Sequence, residues 1–411
     1  MRNIMKNIQI IIADYIYTPS GYIANKSIAF DEQILAIDDA YKLTQKYPQA
    51  EIIRTMPHSI IYPGFINTHV HLEFSSNKTT LEYGDFMAWL HSVIENRTEL
   101  IESCDDEQMM AACDEMLRSG ITTFGAISSY GAELEVCKKT PQRVVFFNEL
   151  IGSDPSTVDT LYADFQERLA NSKATKESES ITPAIAIHSP YSVHPIVIKK
   201  AVALAKEKGY PLSTHFLESK AERDWLESSQ GGFAKFFKQF FGSSRAVTGI
   251  DEFMSQFDGY PSHFVHCTQT TKAEKDYLAK QGHSIAHCPR SNRLLGCGRL
   301  PIEDIESTLS IATDGLSSNH SLNIWDELRA ALMLHQQAPL LQLSDRLIKS
   351  ITSDAAKAIN SKAGALKAGS PADIAIVTLS SKCNSTAELS LHTILHTQSV
   401  SMVFIGGVKR I

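Results

Sequence analysis

The 411-residue chain lacks several features that would assign it to a class at once. No apolar run reaches the roughly 18 residues that a membrane span needs, so no membrane partner is expected. The short apolar stretch 8–12 is interrupted by Asp14, Tyr15 and Tyr17, too early for a secretory signal. The seven cysteines are odd in number, scattered, and form no Cys-x-x-Cys pair. That argues against a disulfide framework or a four-thiolate zinc site, and for a reduced, cytoplasmic setting. Cys104, Cys113 and Cys137 sit in helix-like contexts and are expected to pack as small hydrophobes. No block of Lys or Arg stands out and the net charge is −7, which argues against nucleic acid as the main partner. No strand is followed by a Gly-x-Gly-x-x-Gly turn, which weakens a dinucleotide-binding reading. Internal repeats and long low-complexity tracts are lacking too.

What is present is a chain with 43% hydrophobic and 21% charged residues, enough for a sizeable core. Its length fits two or three domains, or one large barrel with a small companion. Both ends read as β. Residues 8–12 and 27–30 are β-rich with a turn at Pro19-Ser20-Gly21, and 373–379 is an apolar strand. Gly406-Gly407 between 400–405 and 408–411 signals a hairpin. Strands from the two termini are expected to pair into a small sheet. The middle alternates short apolar strands with helices. The strands are 60–71, 121–127, 144–150, 184–188, 212–215, 263–266, 284–287 and 310–314. Helical patterns cover 107–119, 196–208 and 272–281. Eight such steps suggest a (β/α)8 barrel, with an open doubly wound sheet as runner-up. The polar stretch 171–180 reads as a solvated loop.

Most of these strands end on an ionisable residue, and in a barrel such ends converge on one mouth. His69 and His71 are two apart, so a strand points both imidazoles to one face, where they suit a divalent metal. Two exposed histidines at a loop entry is the competing reading. His215 is followed by Glu218: one group for a cation, one for the proton of a bound water, or else a buried histidine and a helix N-terminal acid. Asp314 is either a ligand or a helix cap ahead of Ser317-Ser318-Asn319. His266 and His188 are weaker alone, and His287, before Cys288-Pro289, reads either as structural or as a support behind the site residues.

Together these segments resemble the amidohydrolase superfamily, in its cytosine-deaminase and chlorohydrolase branch. The resemblance runs from Pro63-Gly64-Phe65-Ile66-Asn67-Thr68-His69-Val70-His71 to the stretch 369–373. Thr313-Asp314-Gly315-Leu316-Ser317-Ser318-Asn319 is similar to that branch's TDGxxSN signature. The resemblance implies one divalent metal held by His69, His71, His215 and Asp314. It makes Glu218 the general acid/base and puts His266 beside the attacking water. Relatives with two metals carry a lysine at the end of strand four. Here His188 stands there, which implies a single ion and a substrate contact. Zinc is expected, with iron(II) or manganese(II) able to use similar ligands.

Within the branch the chain is most similar to the aminofutalosine deaminases. The shared segments are His71-Leu72-Glu73-Phe74-Ser75, Ser213-Thr214-His215-Phe216-Leu217-Glu218-Ser219 and Ser291-Asn292-Arg293-Leu294-Leu295. Those enzymes convert 6-amino-6-deoxyfutalosine to futalosine on a route to menaquinone. The implied partner is thus a small nucleoside. Glu218 and Asp314 would move protons, with His266 stabilising the addition intermediate. Glu73, Trp89, Glu149 and His188 are the candidates for base and ribose recognition, with a core role for Trp89 equally open. Rival readings are deamination of S-adenosylhomocysteine, adenosine, guanine or cytosine, triazine-type dechlorination, and a non-catalytic binding protein of the same fold. The expected architecture is an α/β chain: a (β/α)8 barrel over 61–365, and a small β-sandwich from 1–60 and 366–411. The oligomeric state is left open, a homodimer included.

Overall fold

The computed structural model describes residues 7–77, 79–173 and 180–411. Eight strands form one parallel sheet in sequence order: β1 (Phe65–Val70), β2 (Ile121–Ser128), β3 (Arg143–Leu150), β4 (Ile181–Ile187), β5 (Leu212–Phe216), β6 (His263–His266), β7 (Ser284–His287) and β8 (Thr308–Ile311). β1, β2, β5, β6 and β7 are buried at every position, which explains their near-continuous apolar sequences. β8 returns to β1 through polar contacts. The Thr68 and Ser310 hydroxyls lie 2.9 Å apart, Asn67 Nδ2 donates to Thr313 Oγ1 (2.7 Å), and Asp314 N–H donates to His69 O (3.1 Å). The sheet is thereby rolled into a barrel with helices between its strands, as the alternating pattern predicts.

The helices start where their sequences supply caps. Asp105 accepts from Gln108 N–H ahead of helix Asp106–Arg118. Thr271 and Glu274 form a capping box on Lys272–Lys280. Pro195–Lys208 opens on proline and stops at Gly209, whose φ of 71° suits glycine. Of the polar stretch 171–180, residues 171–173 end the helix Val158–Lys173, and 174–179 lie outside the described residues.

The termini build two sheets rather than one. Four strands pair in the order Ile34–Asp38, Ser27–Phe30, Gln9–Ile12, Glu51–Arg54. Six pair in the order Val408–Lys409, Met402–Ile405, Ile374–Thr378, Ser59–Pro63, Tyr15–Thr18, Gly21–Ala24. Ile11, Ile28, Phe30 and Ile34 of the first pack against Ile16, Ile61, Ile374, Ile376 and Phe404 of the second, making a sandwich core.

The apolar run 60–71 is therefore not one strand. Ser59–Pro63 belongs to the six-stranded sheet and β1 to the barrel, with Gly64 as the whole junction. A Cβ on Gly64 would sit 2.0 Å from Thr122 Oγ1, so only glycine lets the chain pass there. Arg143 at the start of β3 clamps the two units together by a two-pronged bond to the buried Asp373 (2.6 and 3.1 Å).

Candidate active site

The C-terminal strand ends collect most of the residues singled out in the sequence. His69 lies in β1 and His71 just beyond it, His215 in β5 and Asp314 in the turn after β8. Asp314 Oδ1 is 3.6 Å from His69 Nε2 and 3.7 Å from His71 Nε2, and the Nε2 atoms of His71 and His215 are 3.4 Å apart. Bonds of about 2.0–2.2 Å to a tetrahedral ion place neighbouring donors roughly 3.3–3.6 Å apart. The spacing is that of a ligand shell.

Two of the four donors are aimed by a second bond. Nδ1 of His215 lies 2.7 Å from the His188 carbonyl, to which it must donate, so its Nε2 lone pair faces inward. Asp314 Oδ2 accepts from the hydroxyls of Ser291 (2.7 Å) and Ser318 (2.8 Å), leaving Oδ1 toward the histidines. His69 is buried, and neither ring nitrogen has a hydrogen-bond partner. Such orphaned atoms are costly unless something binds them, and a divalent cation at Nε2 would. Burial pushes His69 down to about 4, so it stands neutral, the form in which an imidazole can bind a cation. Burial opposes ionisation of Asp314, but His69, His266 and His71 outweigh it and hold the carboxyl well below its usual range. The donor set therefore fits a divalent metal.

Backbone strain is concentrated here. Leu217 (φ 45°), His266 (φ 70°) and Asp314 (φ 58°) adopt left-handed conformations at the ends of β5, β6 and β8. Gly315 makes the last of these turns feasible, because a Cβ there would lie 2.8 Å from His71 O.

Glu218 and His266 stand beside the donors, with Glu218 Oε1 3.6 Å from His266 Nε2. Burial, then the charges of Asp314 and Glu222, push the Glu218 carboxyl well above its usual range. Glu222 is a residue the sequence reading missed. Its buried carboxylate accepts the backbone N–H of Leu217 (3.0 Å) and Glu218 (2.8 Å) and so fixes the turn that presents Glu218. The signal was there: Ser219-x-x-Glu222 has the form of a capping box.

A cavity of about 330 Å³ opens onto these groups. His188, Glu149 and Trp89 line it. His188 is held by Ser192 Oγ (2.6 Å), and burial pushes it down to about 4. Glu149 Oε2 accepts from Ser129 Oγ (2.6 Å), while its Oε1 is buried without a partner. Trp89 donates Nε1–H to Ser317 O (2.9 Å), so only its ring is offered to the cavity. Glu73 is placed differently. Its carboxylate accepts the N–H groups of Ser129 (3.3 Å) and Tyr130 (2.7 Å), and it shapes the wall rather than lining it. Phe74, Phe86, Leu90, Val93, Ile94 and Ile151 make an apolar wall, along which Arg97 stacks on Tyr130 with its guanidinium 4.7 Å from the ring centre.

His287 lies behind the site, 3.1 Å from His335 through the two Nε2 atoms. Cys113 and Cys137 are buried and Cys104 partly so, and all seven cysteines are free. Among the described residues no helix is long and apolar enough to cross a membrane.

Known proteins resemble this chain over most of their length. The chain is 43% identical over 397 residues to an aminodeoxyfutalosine deaminase of a Nitratiruptor species, covering 96% of this chain and 98% of that one. It is 35% identical over 390 residues to a Helicobacter pylori protein named adenosine deaminase, covering 93% and 94%. The crystal structure of H. pylori aminofutalosine deaminase with methylthio-coformycin superposes with a TM-score of 0.93 at 33% identity, over 98% of this chain and all of that one. The model of the amidohydrolase family matches residues 60–409, from the last strand before the barrel to the final hairpin, and the chain belongs to that family.

Proposed function

We propose that this protein hydrolytically deaminates the adenine ring of 6-amino-6-deoxyfutalosine, giving futalosine and ammonia, in the cytoplasm and in the service of menaquinone formation. One observation carries the reading: near-full-length identity of 43% to an aminodeoxyfutalosine deaminase, in a chain whose strand-end donors and adjacent carboxyl are all in place.

His69, His71, His215 and Asp314 are the residues proposed to hold the ion, with zinc the ion proposed and iron(II) or manganese(II) compatible with the same donors. A divalent cation there supplies Lewis acidity, which makes an attacking water acidic near neutral pH. Glu218 takes a proton from that water and delivers it to the ring nitrogen beside the amino-bearing carbon. The water oxygen bonds to that carbon, and the charge that would collect on the ring is neutralised by the delivered proton. His266 holds the new oxygen by a hydrogen bond. Asp314 passes the second proton to the amino group, the carbon–nitrogen bond breaks, and ammonia leaves. Glu149 and His188 are proposed to contact base or ribose, with Trp89 as an apolar surface. Glu73 acts through the Ser129–Tyr130 backbone that it holds.

The apolar wall ending at Arg97 suits a nucleoside with an extended 5′ substituent better than adenosine itself. The 35% identity to a protein named adenosine deaminase supports adenosine as the second reading. The test is incubation of zinc-loaded protein with 6-amino-6-deoxyfutalosine. The expected result is one equivalent of ammonia and a hypoxanthine-type product spectrum, and an unchanged adenine spectrum would overturn the assignment.

A further inference from the structure

Behind His266 runs a file of buried polar side chains that no step above uses. His266 Nδ1 is 2.8 Å from the amide oxygen of Asn292, and that amide's nitrogen is 3.4 Å from His287 Nδ1. His287 Nε2 is 3.1 Å from His335 Nε2. His335 Nδ1 then lies 2.8 Å from Arg299 Nη1 and 3.3 Å from Glu303 Oε1. The three histidines and Asn292 are at most 1% exposed, and the file reaches solvent only at the Arg299–Glu303 pair.

A neutral imidazole carries one N–H and one lone pair, so each histidine in such a file donates on one side only. Burial keeps His287 and His335 neutral. The contacts are consistent only if all donors point the same way, which leaves two polarities. In the outward one, His266 donates from Nδ1 and its Nε2 offers a lone pair to the site. In the inward one, donation starts at Arg299 and passes through His335, His287 and Asn292, so His266 accepts at Nδ1 and carries its hydrogen on Nε2. As placed, the Asn292 oxygen faces His266, the orientation of the outward polarity; a half-turn of the amide, which swaps its oxygen and nitrogen, serves the inward one.

The outer end breaks the tie. A guanidinium only donates. The outward polarity would set His335 Nδ1–H against Arg299 Nη1–H at 2.8 Å, two donors face to face. Its acceptor would be Glu303 Oε1 at the longer distance of 3.3 Å, an oxygen that also accepts from Arg299 at 2.6 Å. In the inward polarity the 2.8 Å contact is a sound hydrogen bond.

We propose that Arg299, acting through His335, His287 and Asn292, fixes His266 as the Nε2–H tautomer, making it a donor into the site and leaving proton acceptance to Glu218. The inference rests on the hydrolytic reading above for its catalytic consequence, but not for the tautomer itself. Arg299, His335, His287 and Asn292 are positioning residues. The donor they set up faces Glu218, where an oxygen gains negative charge as water adds to the ring.

The test is nitrogen NMR of the full-length, zinc-loaded protein labelled with ¹⁵N-histidine, the His266 signals being those lost in His266→Gln. Protonated Nε2 with unprotonated Nδ1 is expected. A protonated Nδ1, alone or in an imidazolium, overturns the proposal, whether or not the enzyme acts on aminodeoxyfutalosine. Two variants separate polarity from packing. Asn292→Asp offers only acceptors, so it should invert the tautomer and lower kcat by about 10²-fold, with KM and zinc content near wild type. Arg299→Met should shift His266 toward Nδ1–H and lower kcat about tenfold, while Arg299→Lys, which keeps a donor, should restore both. An unchanged tautomer in Asn292→Asp and Arg299→Met, or failure of Arg299→Lys to restore it, would contradict the relay.

Discussion

Glu218 Oε1 lies 3.6 Å from His266 Nε2, and the two groups face each other across the floor of the cavity with both side chains buried. The pairing sets a carboxyl that can carry a proton beside an imidazole that can hold the oxygen it came from. Replacing Glu218 by Gln keeps the shape and removes the proton carrier. Turnover should fall by about 10²–10⁴-fold while metal content stays at the wild-type level. Ammonia release measured alongside elemental analysis checks this, and undiminished turnover would remove Glu218 from proton transfer.

Asp314→Ala takes away one donor of the proposed shell and leaves the Ser291 and Ser318 hydroxyls without their acceptor. Metal content and activity should collapse together. Full metal occupancy in this variant would refute Asp314 as a ligand.

Glu222 supports Glu218 through the backbone, by accepting two N–H groups of the turn before it. Glu222→Gln keeps one acceptor oxygen and sets its amide NH2 against the other backbone N–H at a buried position, with an expected stability loss of about 1–3 kcal/mol. The Glu218 turn should loosen, lowering kcat about tenfold with zinc retained. Thermal unfolding and kinetics at fixed zinc test the two effects separately. Wild-type behaviour in both would show that Glu222 does not hold the turn.

How far the sequence reveals this site depends on how local each signal is. The proposed ligands are legible because the His-x-His spacing, the strand-end histidine and the carboxylate after the last apolar strand each sit within a few residues of a recognisable strand. Ser59–Pro63 and β1 blur into one apolar run because the break is a single glycine whose necessity comes from Thr122 on another strand. Glu73 reads as a substrate contact, yet its oxygens go to backbone on the loop after β2, a pairing no local pattern encodes. Glu222 left a capping-box trace. The file behind His266 left only part of itself in the sequence, because His335 lies far along the chain from His287, Asn292 and Arg299 and meets them only in the folded barrel.

A pH prediction follows from His283, which lies away from the site. Its ring is buried against Phe264, and Nδ1 accepts the Ser262 N–H (3.0 Å), a bond open only to the neutral ring. Burial pushes it down to about 4, although Asp258 pulls the other way. In the unfolded chain a histidine titrates near 6.5. Between those values the unfolded state binds the extra proton, so the contribution is complete above about pH 6.5 and is lost as pH falls toward 4, at up to ~1.4 kcal/mol per pH unit. Denaturant unfolding of His283→Gln should show a shallower loss of stability than wild type across that window. Parallel pH profiles would contradict the assignment.

The proposed substrate is distinguished by the kcat/KM of zinc-loaded protein for 6-amino-6-deoxyfutalosine, set against the values for S-adenosylhomocysteine and adenosine under the same conditions. Aminodeoxyfutalosine is expected to exceed both by about tenfold or more, its 5′ substituent being proposed to lie along the apolar wall and Arg97. A higher value for adenosine or S-adenosylhomocysteine would contradict the substrate, and no ammonia from any of the three would contradict the deaminase reading itself.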